Sequence, residues 1–193
     1  SGVRACALDA SGRMLAEALK LIEENIRPGV TTAELDRIAD EHVTSSGAYP
    51  VFKGYKVFGR PAYPAATCMS VNEEVVHGIP SDRVLKEGDI LSVDIGAKWK
   101  MYIADPARTF AVGVIDEETR RLLESQQAAL EAGIAAAQAG RRVSDVSRAI
   151  QKVAEGAGFS VVRQYCGHGL GRKLHEEPQI PNYVDTRSFG DPV

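Results

Sequence analysis

The sequence predicts an α+β chain made of two helix–helix–sheet halves. Three observations carry this. Amphipathic helices come in two pairs, strand-like stretches follow each pair, and the second helix of each pair recurs at a fixed offset. With 193 residues the chain suits one domain, or two small halves sharing a core. The expectation is a single domain over residues 1–193, with halves of about 1–115 and 116–193.

The first helix is read in "SGRMLAEALKLIEENIRPG", where Leu15, Leu19, Ile22 and Ile26 make one apolar stripe. Ser11 is expected to cap its start, and Pro28-Gly29 to stop it. The second helix is "TTAELDRIADEHVTSSG". Thr31 and Glu34 form a capping-box pattern, Leu35, Ile38, Ala39 and Val43 the stripe, and Gly47 the end. A third helix is expected from Asp116 to about Gln138, and a fourth from about Ser144 to Glu155. "ILSVDIG", "ARTFAVGV" and "FSVVRQYCG" read as strands, being β-branched or alternating and bounded by Gly or Pro.

"GVTTAELDRIADEHVTSSG" (29–47) and "GRRVSDVSRAIQKVAEGAG" (140–158) align at an offset of 111 residues. Leu35 falls over Val146, Ala39 over Ile150 and Val43 over Ala154. This reads as an internal duplication about a pseudo-twofold axis. The plainer alternative is that any two capped helices of equal length align this way. The chain ends before a second copy of the "EGDILSVDIG" hairpin, so the second half is expected to be incomplete.

Composition narrows the function. The chain is 44% hydrophobic and 25% charged, ordinary for a soluble globular protein, and its net charge of -3 gives no basic surplus for nucleic acid or an anionic membrane. Cys6, Cys68 and Cys166 show no CxxC spacing, which argues against a disulfide framework or zinc ribbon and for a reducing compartment. No apolar run approaches the ~20 residues of a membrane span, and no signal-peptide pattern is read at the start. A cytoplasmic setting is the expectation.

In "LSVDIGAKWKMYIADPARTF", Asp94 and Asp105 flank two short strands and a turn. Directly opposed, with the turn centred between Trp99 and Lys100, they would share a face with Cβ atoms roughly 5 Å apart. Like charges there repel unless a cation joins them, and two carboxylates can bridge two ions about 3.5–4 Å apart. The alternative is an exposed hairpin whose aspartates point into water. His77, His168 and His175 sit in glycine- or proline-flanked loops, "EEVVHGIP" and "CGHGLGRKLHEEP", open to a metal or substrate or acting as plain turn residues. His42 lies on a helix stripe and reads as a core or boundary residue. Cys68 lines a pocket or the core, with no base beside it. Of Glu73 and Glu74, read as adjacent strand residues, at most one faces a site. "GHGLGR" lacks the ending of a phosphate loop and opens no helix.

Taken together, "GAYPVFKGY", "TCMSVNEEVVHGIP", "GDILSVDIG", "ADPARTFAVG" and "GHGLGRKLHEEPQIPNY", collinear from about Arg13 to Tyr183, resemble type I methionine aminopeptidases. The resemblance implies a pita-bread fold, two αβ halves around a curved antiparallel sheet. It implies removal of the initiator methionine from nascent polypeptides with a small second residue, with the ribosome as a candidate contact. It also implies two divalent ions (manganese, iron, cobalt or zinc), held by Asp94, Asp105 and His168. His77 and His175 resemble the family's substrate-contacting histidines, and Tyr63, Cys68 and Leu174 fall near its methionine pocket. A glutamate would act as general acid/base. The alternatives are a non-catalytic peptide-binding relative and an Xaa-Pro-type metallopeptidase. The sequence departs from the pattern in three places. No residue after Tyr183 matches the family's two further glutamate ligands. Met101 and Ala104 stand where an Asp-Gly turn and a later glycine are usual. The Lys56–Ala62 stretch reads as an insertion.

Overall fold

The computed structural model describes residues 2–56, 59 and 61–184, with side chains from Ala7 onward. The expectations for the Lys56–Ala62 stretch at 57, 58 and 60, and for 185–193, lie outside the described residues. The chain divides into two compact units, one of Ser1–Ile115 with Leu170–Leu174, the other of Asp116–Gly169 with His175 onward.

The first unit opens with α1 (Gly2–Asn25) and α2 (Thr32–Ser45). Ala7, Met14, Leu15, Ala18, Leu19 and Ile22 form the buried stripe of α1. Ser11 does not cap this helix. The helix starts upstream, and Ser11 lies inside it, fully buried, donating its hydroxyl to the Ala97 carbonyl at 3.3 Å. Nothing before Ser11 breaks the helical period, and the hydroxyl finds its partner on the sheet. The capping box of α2 forms as expected: Glu34 Oε2 accepts the Thr31 N–H at 2.8 Å, and Thr31 Oγ1 accepts the Glu34 N–H at 3.2 Å. Leu35, Ala39 and Val43 are fully buried below it.

Two three-stranded antiparallel sheets complete this unit. One is ordered β2 (Thr67–Val71), β3 (Ile90–Ile95), β6 (Ala107–Ala111). The other is ordered β1 (Tyr49–Pro50), β4 (Ala97–Trp99), β5 (Tyr102–Ala104). Thus β3–β4 and β5–β6 are the arms of one long hairpin, interrupted at Gly96 and at Asp105-Pro106. The helix α1 packs on β4 and β5, and Met69, Val71, Leu91, Val93 and Ile95 complete the core.

The hairpin register differs from the expected one. Trp99 pairs Tyr102 and Asp94 pairs Ala107, so the turn is centred between Lys100 and Met101 and the aspartates are not directly opposed. Lys100 and Met101 both take positive φ, 45° and 74°, the left-handed pair of a two-residue hairpin turn. The slip is two residues, an even number, so Asp94 and Asp105 remain on one face as diagonal neighbours.

The second unit holds α3 (Glu117–Ala136), α4 (Val143–Gly156), β7 (Cys166–Gly169) and β8 (Glu176–Pro181). Asp116 caps α3 by accepting the Thr119 N–H at 2.8 Å. The strand expected over "FSVVRQYCG" is shorter than read. Only Cys166 onward pairs with β8, and Phe159–Tyr165 is irregular. Alternation alone does not make a strand where no neighbour completes the ladder. The 111-residue offset relates the elements themselves. α2 and α4 both have 14 residues, and Asp145 accepts the Arg142 N–H at 3.1 Å as Glu34 accepts that of Thr31.

Unfolding in urea tests these local devices. Thr31→Ala removes the acceptor at the α2 start and is expected to cost about 1 kcal/mol in urea unfolding. The cap bonds hold Glu34, Asp116 and Asp145 below the ordinary carboxylate range, so their contribution is present above the unfolded pKa near 4 and is lost as pH falls through the folded value. The urea midpoint should fall below about pH 4, and Glu34→Gln should flatten that slope. At the hairpin tip, Lys100→Asn with Met101→Gly should stabilise by roughly 1 kcal/mol, because both residues occupy left-handed backbone that Asn-Gly adopts with less strain. An unchanged or lower midpoint would refute that account of the turn.

Candidate metal centre and pocket

The two aspartates meet where the hairpin changes sheets. Gly96 stands between β3 and β4, and a Cβ there would lie 2.7 Å from Val51 Cγ2, 2.9 Å from Phe52 Cε1 and 3.2 Å from Asp105 Oδ1. Only glycine admits this approach. The Gly96 carbonyl accepts the Val51 N–H at 2.9 Å, and the Ile95 N–H donates to the Pro106 carbonyl at 3.1 Å, so the interruption leaves these backbone groups paired.

Asp94 and Asp105 are both half-buried, and Asp105 Oδ1 is a buried oxygen with no hydrogen-bond partner among the described residues. Burial, and then the charge of Asp105, push Asp94 well above the ordinary carboxylate range. Two hard-oxygen donors forced together suit a divalent cation. Among the described residues, no group of three or more His, Cys, Asp or Glu side chains is arranged to hold an ion.

Cys68 lies directly opposite Asp94 on β2 and is 5% exposed. Burial, with the Asp94 and Asp105 charges behind it, pushes its thiol up to about 12, which favours the neutral form. Tyr63 is raised above its usual range, chiefly by burial and then by the neighbouring Cys68. Its hydroxyl lies 3.0 Å from the Thr67 carbonyl and 2.9 Å from the Gly78 carbonyl. Phe52 packs edge-on against Tyr63 at 6.5 Å between ring centroids. Sequence reading missed Phe52, and an aromatic in "VFKGY" between strand-like stretches was the available signal.

His77 is exposed, with φ of 64°. Its neighbour Gly78 is clamped on β2. The Met69 N–H donates to the Gly78 carbonyl at 2.8 Å, the Gly78 N–H donates to Ser70 Oγ at 3.0 Å, and a Cβ at Gly78 would lie 2.2 Å from the Met69 carbonyl oxygen. Glu73 and Glu74 are turn residues, not strand residues. β2 ends at Val71, and Glu74 accepts the Val71 N–H at 2.8 Å while pairing with Arg83. His42 is a boundary residue beside Glu17.

In the second unit, His168 on β7 is half-buried with Nδ1 3.0 Å from the Gly169 carbonyl oxygen. Its ring centroid is 4.4 Å from that of the exposed His175. A β-bulge after His168 and a backbone approach at Gly169 shape this strand pair. Leu174 belongs to the 170–174 segment of the first unit, where the Ile103 N–H donates to the Gly171 carbonyl at 2.8 Å. Leu174 is half-buried.

Comparison with known proteins was made on this geometry. The family model described as metallopeptidase family M24 matches residues 6–191. Methionine aminopeptidase of Clostridium perfringens is 47% identical over 173 residues, 90% of this chain and 68% of that protein. Methionine aminopeptidase 1 of Bacillus subtilis is 48% identical over 173 residues, with the same coverage of both chains. The crystal structure of methionine aminopeptidase from Thermotoga maritima superposes with a TM-score of 0.93 at 40% identity, covering 100% of this chain and 76% of that one. Prolidase from Pyrococcus furiosus, 21% identical with a TM-score of 0.81, covers 96% of this chain and 52% of that one and shares the fold. The fold is the α+β pita-bread fold, and the chain belongs to metallopeptidase family M24.

Proposed function

We propose that this chain removes an N-terminal methionine from peptides with a small second residue. The observation that carries the reading is the Asp94–Asp105 pair set beside Phe52, Tyr63 and Cys68. It joins hard-oxygen donors to a lining in which Phe52 and the neutral Cys68 are buried. A methionine side chain is unbranched, apolar and adaptable, and suits such a lining.

Family M24 implies a divalent metal, and the donor set fits one. Two neighbouring carboxyls lose their repulsion only when protonated or when a cation joins them. Asp94 and Asp105 would hold it, and the family resemblance adds the imidazole of His168. When bound, such ions supply a Lewis acid that activates water and polarises the scissile carbonyl. His77 and His175 contact the peptide, and an imidazole N–H donates to the carbonyl oxygen as it gains charge. Tyr63, Cys68 and Leu174 receive the methionine side chain. A glutamate serves as general acid/base, as the family resemblance implies. The same reading takes two ions, manganese, iron, cobalt or zinc, and puts the protein in the cytoplasm, acting on nascent chains at the ribosome.

The test is release of methionine from Met-Ala-Ser with manganese or cobalt added, and with a chelator as control. Metal-dependent release is expected, and Asp105→Asn should lower it on the order of 100-fold or more, because one of two anionic donors is lost. Release indifferent to the chelator, or none from a chain that stays folded by circular dichroism, overturns the reading.

A further inference from the structure

The proposed pocket needs Tyr63 and Cys68 held in place, and one side chain outside the pocket grips the residue that links them, Thr67. Asp36 lies on α2, half-buried, one residue after the fully buried Leu35. Its Oδ1 accepts the Thr67 N–H at 2.8 Å and the Thr67 hydroxyl at 2.7 Å. Thr67 is fully buried and opens β2. The next residue is Cys68, paired with Asp94. The Thr67 carbonyl is one of the two oxygens at the Tyr63 hydroxyl, and the other belongs to Gly78, next to His77.

A carboxylate here is costly. Burial pushes Asp36 upward while the two Thr67 bonds pull it down, and the upward push wins. An apolar side chain would avoid that cost and lose the grip on Thr67. The neighbouring Asp40, one helical turn on, is taken up by Lys53 at 2.6 Å.

We propose that Asp36 is a positioning residue for the methionine pocket, pinning Thr67 and through it setting Cys68 against Asp94 and Tyr63 against Gly78. This rests on the pocket reading above. Asp36 itself touches neither substrate nor ion.

The test compares Asp36→Ala, Asp36→Asn and Thr67→Val with the unaltered chain in methionine release from Met-Ala-Ser, with Thr31→Ala as a variant loosened elsewhere on the same helix. Asp36→Ala is expected to raise KM about tenfold with kcat changed less than about threefold. Asp36→Asn keeps an acceptor oxygen and should stay close to the unaltered KM, while Thr67→Val, which loses only the hydroxyl, should fall between. An unchanged KM in Asp36→Ala, a loss confined to kcat, an Asn variant as impaired as the Ala variant, or an equal KM rise in Thr31→Ala overturns the proposal. If no version releases methionine, the functional reading fails and amide hydrogen exchange judges the positioning role. Faster exchange confined to residues 63–78 in Asp36→Ala, restored in Asp36→Asn, supports it. Unchanged protection there overturns it.

Discussion

At Gly96 one strand leaves its sheet and enters the next, with Val51, Phe52 and Asp105 packed where a side chain would stand. That close approach is what the site depends on. It interrupts the hairpin between β3 and β4, so β3 can pair with β2 while β4 pairs with β1. It admits Asp105 to the face that carries Asp94, and it lets Phe52 pack close to the same glycine. A methyl group at Gly96 would have to displace Val51, Phe52 or Asp105, and each leads back into the site.

Much of the fold was legible because its signals are local. The Thr31–Glu34 box, the Asp116 cap and the stripe of Leu35, Ala39 and Val43 are written within one or two helical turns. Ser11 was misread because the same residue type serves as cap or as buried donor, and its partner, the Ala97 carbonyl, is 86 residues away. The hairpin register slipped because Lys100 and Met101 lack the Asn-Gly signature of the turn they make. The shared face of the aspartates survived, since parity is set by the pleat and not by the turn. Asp36 left no signal in the sequence because what it touches is fixed only by tertiary packing, and Phe52 left only its aromatic character.

The repeat shows the same division between local and distant signals. Helix lengths, the carboxylate at the third helical position and the burial of Thr32/Val143 and Leu35/Val146 are common to α2 and α4, while the faces of α1 and α3 have diverged. Where α1 presents Met14, Leu15, Leu19 and Ile22, the residues 111 on in α3 are Ser125, Gln126, Leu130 and Gly133. A Cβ at Gly133 would lie 2.9 Å from Ile150, so small residues in α3 let α4 approach closely, whereas α1 fills its space with long apolar side chains against β4 and β5. Capping is satisfied inside a helix and drifts little, but a packing face must follow its partner.

The electrostatics around the hairpin argue for a ligand on physical grounds alone. Asp36, Asp94, Asp105, Cys68 and Tyr63 are acids in one half-buried region, and the charges of Asp36 and Asp94 act on both the thiol and the phenol. Burial and mutual repulsion favour the neutral forms of Asp94, Cys68 and Tyr63. A sequence under selection for stability alone would replace one aspartate by an apolar or amide side chain and relieve the strain. Local choices that oppose stability concentrate at functional positions. The thiol and phenol sit in their neutral forms, and Asp94 is pushed toward its own. A divalent cation reverses the sign of the interaction for the two carboxylates and leaves the neutral lining undisturbed. The arrangement that costs the fold stability is therefore the one that would strengthen its hold on an ion.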